Sequence, residues 1–188
     1  MSVSRAPKPY RIYIRCCLLF IIHLEKKITY RTIFPLFAGM TLKEKLYRLC
    51  IAEAEARIAA AELNIRSAKD AQSNETKSSA GDKYETSREM MEQEISFNQT
   101  RLMEARKLKH GLSLVNPSKQ TATVQPGSLV FTSRGNFYIA TAIGLMILDT
   151  YTFQVISPSS PLARAFAGKT EGDMVSMNGQ EYRITKLM

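Results

Sequence analysis

The chain of 188 residues has no tryptophan, two histidines and three cysteines, with 9 glycines and 7 prolines. Each scarcity excludes something. His23 and His110 stand far apart, and neither has nearby cysteines at metal-ligand spacing, so no zinc cluster can be assembled. Cys16 and Cys17 are adjacent, Cys50 is alone and no CxxC occurs, which argues against a disulfide framework and for a reducing compartment. Long apolar runs are also missing. The longest uncharged stretch in the first 39 residues is CCLLFIIHL, Cys16 to Leu24, far short of the roughly 20 apolar residues that cross a bilayer. The absence of tryptophan decides little.

Positive charge looks abundant, with a formal net charge of +9. Its distribution weakens a nucleic-acid reading. Residues 1–39 carry seven Lys/Arg against one Glu, residues 40–115 thirteen against twelve, and residues 116–188 six against four. Two-thirds of the excess sits in the first segment, and the remainder is near neutral, so strong non-specific phosphate binding is not expected. The basic start and short apolar core of residues 1–39 resemble a signal peptide, but no A-x-A-like cleavage site comes after them. Lys26, Lys27 and Arg31 come next, then an apolar patch from Ile33 to Phe37. The reading preferred is that residues 1–39 are a non-native or disordered leader. Met40 then opens the folded sequence, with Thr41 and Glu44 in capping-box spacing.

Beyond Met40 the pattern is helical. Tyr47, Ile51, Ala54, Ile58, Ala61, Ile65 and Ala68 keep 4-3 spacing, and neither Gly nor Pro interrupts Thr41 to Asn74. A helix of that span is about 50 Å long. A polar break, SNETKSSAGDK from Ser73 to Lys83, leads to a second periodic stretch, Tyr84 to Leu112. Its seam carries Asn98, where a buried amide fixes register, and Gly111 is the expected stop. Comparable lengths and a short connection predict an antiparallel helical hairpin over 40–114, with its tip near 73–83.

The period changes after Asn116–Pro117. A linker, 115–126, leads to expected strands at Ser128–Thr132, Asn136–Thr141, Leu145–Leu148, Phe153–Ile156, Met174–Met177 and Glu181–Leu187. A short helix fits Pro161–Ala167, with Ser160 as N-cap and Gly168 as stop, and Asn178–Gly179 marks a tight hairpin. The fold class is therefore α+β: a coiled-coil hairpin, then a small antiparallel β domain, 127–188, with one short helix. No catalytic set is visible. Ser159 and Ser160 lack a GxSxG context and read as caps. Phe131, Phe137, Tyr138, Phe153 and Phe166 read as core.

The segment VISPSSPLARAFAGKTEGDMVSMNGQEYRITKL, Val155 to Leu187, resembles the C-terminal part of the bacterial Gre transcript-cleavage factors. The resemblance rests on Ile156, Ser157, Ser160, Pro161, Leu162 and Ala163, then Gly168, Lys169, Gly172, Asp173 and Val175, and finally Gly179, Tyr182 and Ile184. Lys83, Tyr84, Arg88 and Glu89 are similar to the start of that family's second helix. The likeness covers about residues 41–188. It implies an FKBP-like C-terminal domain docked on RNA polymerase through Ser159, Ser160, Pro161 and Leu162, with the hairpin entering the secondary channel. It implies a cytoplasmic, bacterial, monomeric transcription elongation factor. Such a factor meets nascent RNA and DNA only through the elongation complex and has no membrane partner. In that family two tip acids help hold a second Mg²⁺, shared with the polymerase, that cuts backtracked RNA. Here the pair falls on Lys77 and Ala80, which cannot bind a cation. Glu75 and Asp82 are near but out of register. The expectation is a Gre-like modulator of elongation, not itself an enzyme and with no cofactor or metal of its own. The alternatives are a cleavage stimulator using Glu75 and Asp82, and an FKBP-like prolyl isomerase or chaperone.

Overall fold

The structure, a computed structural model, describes residues 39–75 and 82–188; of residues 74, 75 and 82–85 the backbone alone is described. The chain divides between Met40 and Thr41 into two units, of which the second, Thr41–Met188, holds every helix and strand among the described residues.

Helix α1 spans Leu42–Glu75 and α2 spans Asp82–Ser113. Thr41 and Glu44 form the expected reciprocal cap: the Thr41 N–H donates to Glu44 Oε2 at 2.9 Å, and the Glu44 N–H donates to Thr41 Oγ1 at 3.3 Å. The Thr41 N–H first, and then the Ser118 hydroxyl, which donates to Glu44 Oε1 at 3.1 Å, hold the Glu44 carboxyl below the usual carboxylate range. The helices pack antiparallel along the anticipated seam, where Ala54, Ala61, Ala68, Asn98 and Ala105 are buried. The connection is tighter than the composition suggests. Ser73 and Asn74 belong to α1, which leaves 76–81 between the helices. Gly111 does not end α2, which runs on to Ser113. Gly111 instead lies against Thr141, where a Cβ would come within 3.2 Å of the Thr141 hydroxyl oxygen. The glycine permits close approach of helix to loop.

Six strands complete the fold: β1 Leu129–Thr132, β2 Gly135–Ile139, β3 Gly144–Leu148, β4 Tyr151–Ile156, β5 Met174–Met177 and β6 Gln180–Leu187. Helix α3, Pro161–Phe166, separates β4 from β5. The sheet order is β3-β4-β2-β1-β6-β5. Four pairings are antiparallel, whereas β2 and β4 run parallel, Asn136 opposite Phe153 through Ile139 opposite Ile156. That parallel pair departs from the simple antiparallel expectation. It arises because the chain passes from β2 to β3 at the sheet edge, and β4 then folds back on β3 and fills the place beside β2 in the same sense as β2. Asn178 and Gly179 both take positive φ, 51° and 73°, as the β5–β6 turn requires.

Alternation along the strands gives the sheet two apolar faces. One face carries Val130, Phe137, Ile139, Val175 and Ile184, covered by Ala163 and Phe166 of α3 and by Val124 of the linker. The other carries Leu129, Tyr138, Met146, Leu148, Phe153 and Val155, covered by Leu46, Leu49, Cys50 and Ala54 of α1 and Leu112 of α2. The hairpin base and the sheet thus share one core. Each fully buried Leu or Phe in it contributes about 1.5–3 kcal/mol. Phe137, Tyr138, Phe153 and Phe166 are buried as expected, while Phe131 is half-buried.

One group in this core is unsatisfied. Tyr138 is fully buried, and its hydroxyl has no hydrogen-bond partner among the described residues. Burial, and then the nearness of Cys50 and Tyr47, pushes its ionisation up. Burial likewise pushes the Cys50 thiol up to about 12, so no thiolate forms at neutral pH. A buried hydroxyl without a partner costs about 1–3 kcal/mol. Tyr138→Phe is therefore expected to stabilise the protein by about 1 kcal/mol in urea unfolding; a destabilised variant would mean that the hydroxyl is bonded in solution.

Candidate functional site

Three elements built from the sequence bear on function: the hairpin end, the loop before α3, and the joint between hairpin and sheet. At the hairpin end, Glu75 closes α1 and Asp82 opens α2. The backbone therefore sets these two candidate acids at opposite ends of one connection. Lys77 and Ala80 lie outside the described residues, as do the side chains of Glu75 and Asp82. Among the described residues no group of three or more His, Cys, Asp or Glu side chains gathers to hold a metal.

The loop before α3 is built from serines. The Ser159 N–H donates to Ser157 Oγ at 3.2 Å, and the two hydroxyls lie 2.7 Å apart. The Ser160 N–H donates to the Ser157 carbonyl at 2.9 Å. Ser160, at φ −64° and ψ 148°, caps α3 by accepting from the Ala163 N–H at 3.2 Å, and Pro161 comes next, where its missing N–H does no harm. Ser159 and Pro161 face solvent, while Leu162 packs against the second core. The hydroxyl oxygens of Ser157, Ser159 and Ser160 all take part in bonds within the loop, which leaves a weakly polar surface with Pro161 exposed on it.

The next stretch is held as firmly. The Thr170 N–H and hydroxyl both donate to Asp173 Oδ2, at 2.8 and 3.1 Å. These bonds, the N–H first, keep the Asp173 carboxyl below its ordinary range. Gly172, at φ 93°, donates its N–H to the Ile184 carbonyl at 2.9 Å, so the turn is bonded to β6. Gly168, at φ 75°, donates to the Val124 carbonyl, and the Val124 N–H donates to the Lys169 carbonyl at 2.8 Å. Gly168, Lys169, Gly172 and Asp173 therefore form a structural brace between linker, α3 and sheet.

No protein-family model matches the chain, and no curated protein matches it. Among the described residues no helix is long and apolar enough to cross a membrane.

The joint is the part that sequence reasoning missed. Beyond the shared apolar core, Arg57 Nη2 donates to the Ile143 carbonyl at 3.1 Å, tying α1 to the loop between β2 and β3. Lys43 is 4% exposed, and its Nζ donates to the Lys119 carbonyl at 2.6 Å, tying α1 to the linker. Burial, then the Lys119 ammonium, lowers the Lys43 pKa. Leu42, Leu46 and Leu49, at spacings of four and three, were the available signal: they trace an apolar stripe beside the seam that begins at Tyr47.

The loop geometry yields a direct check. Ser160→Ala removes one N-cap bond and should lower stability by about 1 kcal/mol in chemical denaturation, with Ser160→Asp restoring most of it. An unchanged midpoint for the alanine variant would mean that the cap carries no weight.

Proposed function

We propose that this protein is a Gre-like factor that binds RNA polymerase at its secondary channel and modulates transcription elongation. The observation that carries the reading is the joining of two parts in one body. A hairpin whose first helix alone is about 50 Å long stands on an α+β domain, and that domain exposes Ser159 and Pro161 on a capped loop that Ser160 and the half-buried Leu162 anchor. A probe of fixed length is useful only if its base is held. The apolar joint, the Arg57 bond and the Lys43 bond supply that hold. In this reading the capped loop docks on the polymerase, the hairpin enters the channel, and its end approaches the catalytic centre. The protein acts by occupying that space and does not itself catalyse a reaction. It works in the cytoplasm as a monomer and meets RNA and DNA only through the polymerase complex.

A second reading is favoured by the backbone positions of Glu75 and Asp82 at the two helix ends. Carboxylates there suit a hard cation shared with the polymerase, and a Mg²⁺ bound between them would help activate water for RNA cleavage. The resemblance in the C-terminal segment supports both readings. The substitution of Lys77 and Ala80 for the family's acids supports the first.

Purified full-length protein should retain bacterial RNA polymerase in a pull-down, and Pro161→Arg should weaken that retention by at least about tenfold. On a backtracked complex it should change elongation without accelerating RNA cleavage. No retention of polymerase would overturn the proposal. Cleavage that is stimulated by the protein and lost in the double variant Glu75→Ala, Asp82→Ala would replace the first reading with the second.

A further inference from the structure

The two flanks of the hairpin are unlike. On one flank ion pairs cross between the helices: Lys109 Nζ meets Glu55 Oε1 at 2.8 Å, and Arg106 Nη2 meets Glu62 Oε1 at 3.0 Å. On the opposite flank, among the described residues, no ion pair crosses. Between the helices there lies a groove of about 340 Å³, within the range of small-ligand sites. The small seam residues Ala61 and Ala105 leave this space, and Arg57, Asn64, Asn98 and Arg101 surround it.

Three of these groups have hydrogen-bonding capacity to spare. Asn98 is 3% exposed. Its Nδ2 donates to the Glu94 carbonyl at 2.9 Å, but among the described residues its Oδ1 accepts only from Asn64 Nδ2 at 3.4 Å, beyond the usual range. A carboxamide can make four bonds, so this buried one is half satisfied. Arg101 lies over the Phe97 ring, 5.1 Å from its centroid, and has no carboxylate partner among the described residues. Arg57 uses Nε on Glu53 and Nη2 on Ile143, which leaves other N–H donors of its guanidinium. Glu104 at the lip makes no ion pair among the described residues; it would repel a bare anion, but it would accept from a hydroxyl or amino group.

We propose that this groove binds a phosphate-bearing small molecule of nucleotide size. The guanidiniums of Arg57 and Arg101 hold the phosphate, the Asn64 and Asn98 amides meet polar edges, and Glu104 accepts from a hydroxyl or amino group. A ligand there ties α1 to α2 on the flank where, among the described residues, no ion pair crosses, and so stiffens the hairpin. The site does not depend on the polymerase reading and can be tested on the chain alone.

The test is calorimetric titration of the full-length protein with adenosine 5′-monophosphate, with inorganic phosphate and with adenosine, at about 0.15 M salt so that unspecific charge attraction is screened. The monophosphate should bind saturably at one site, inorganic phosphate more weakly, and adenosine not at all. Arg101→Gln, an exposed position, should weaken binding about tenfold, while Arg106→Gln on the ion-paired flank should leave it unchanged. No saturation with the monophosphate at millimolar concentration would overturn the proposal. Equal losses in the two variants would overturn it too, because they would mean attraction to charge in general.

Discussion

The structure depends on one apolar joint. Leu46, Leu49, Cys50 and Ala54 of α1 and Leu112 of α2 form one core with Leu129, Tyr138 and Phe153 of the sheet. Without this joint the remaining parts would be marginal. The hairpin seam beyond it is slim, made of alternating Ile and Ala with an amide at Asn98, and its crossing ion pairs are exposed, worth about 0–1 kcal/mol each. A sheet of six short strands with one face uncovered would expose a wide apolar surface. The joint removes both problems together. Polar bonds at its rim, from Arg57 to Ile143 and from Lys43 to Lys119, give direction to a contact that hydrophobic burial alone leaves non-directional.

That arrangement has a mechanical consequence. A hairpin of this length converts a small tilt at the base into a large displacement at the far end. Close contact at Gly111 and Thr141, dense packing around Phe153, and the bonded linker all oppose tilt. The loop from Ser157 to Ser160 is closed in a different way, by hydrogen bonds of its own hydroxyls. The capped loop and the long hairpin are thus carried on opposite faces of one sheet.

Much of the fold was legible because its local rules are strong. The Thr41–Glu44 box, Ser160 before Pro161, and Asn178–Gly179 each specify backbone geometry within four residues, and all three are formed. The hairpin was legible from the period of Tyr47 to Ala68. Long-range facts were not. Periodicity says that Leu46 and Leu49 are buried but not against what, so the sheet as their partner stayed hidden. Gly111 read as a stop because nothing local told of Thr141. The parallel pairing of β2 with β4 depends on a path through space that turn residues do not encode. Of the candidate site, the capped loop was readable to the residue. Whether Glu75 and Asp82 converge depends on the side chains of residues that no neighbouring pattern constrains.

The central claim is that the shared core holds hairpin and sheet in one fixed relation. The most direct measurement is a pulsed electron-spin distance between labels at two exposed positions, Gln99→Cys on α2 and Gln154→Cys on β4. Cys16 and Cys17 are replaced by Ser, and the buried Cys50 is left in place. One narrow distance distribution, unchanged by moderate salt, is the predicted result. A broad or two-peaked distribution would show the hairpin swinging on its base and would contradict the account.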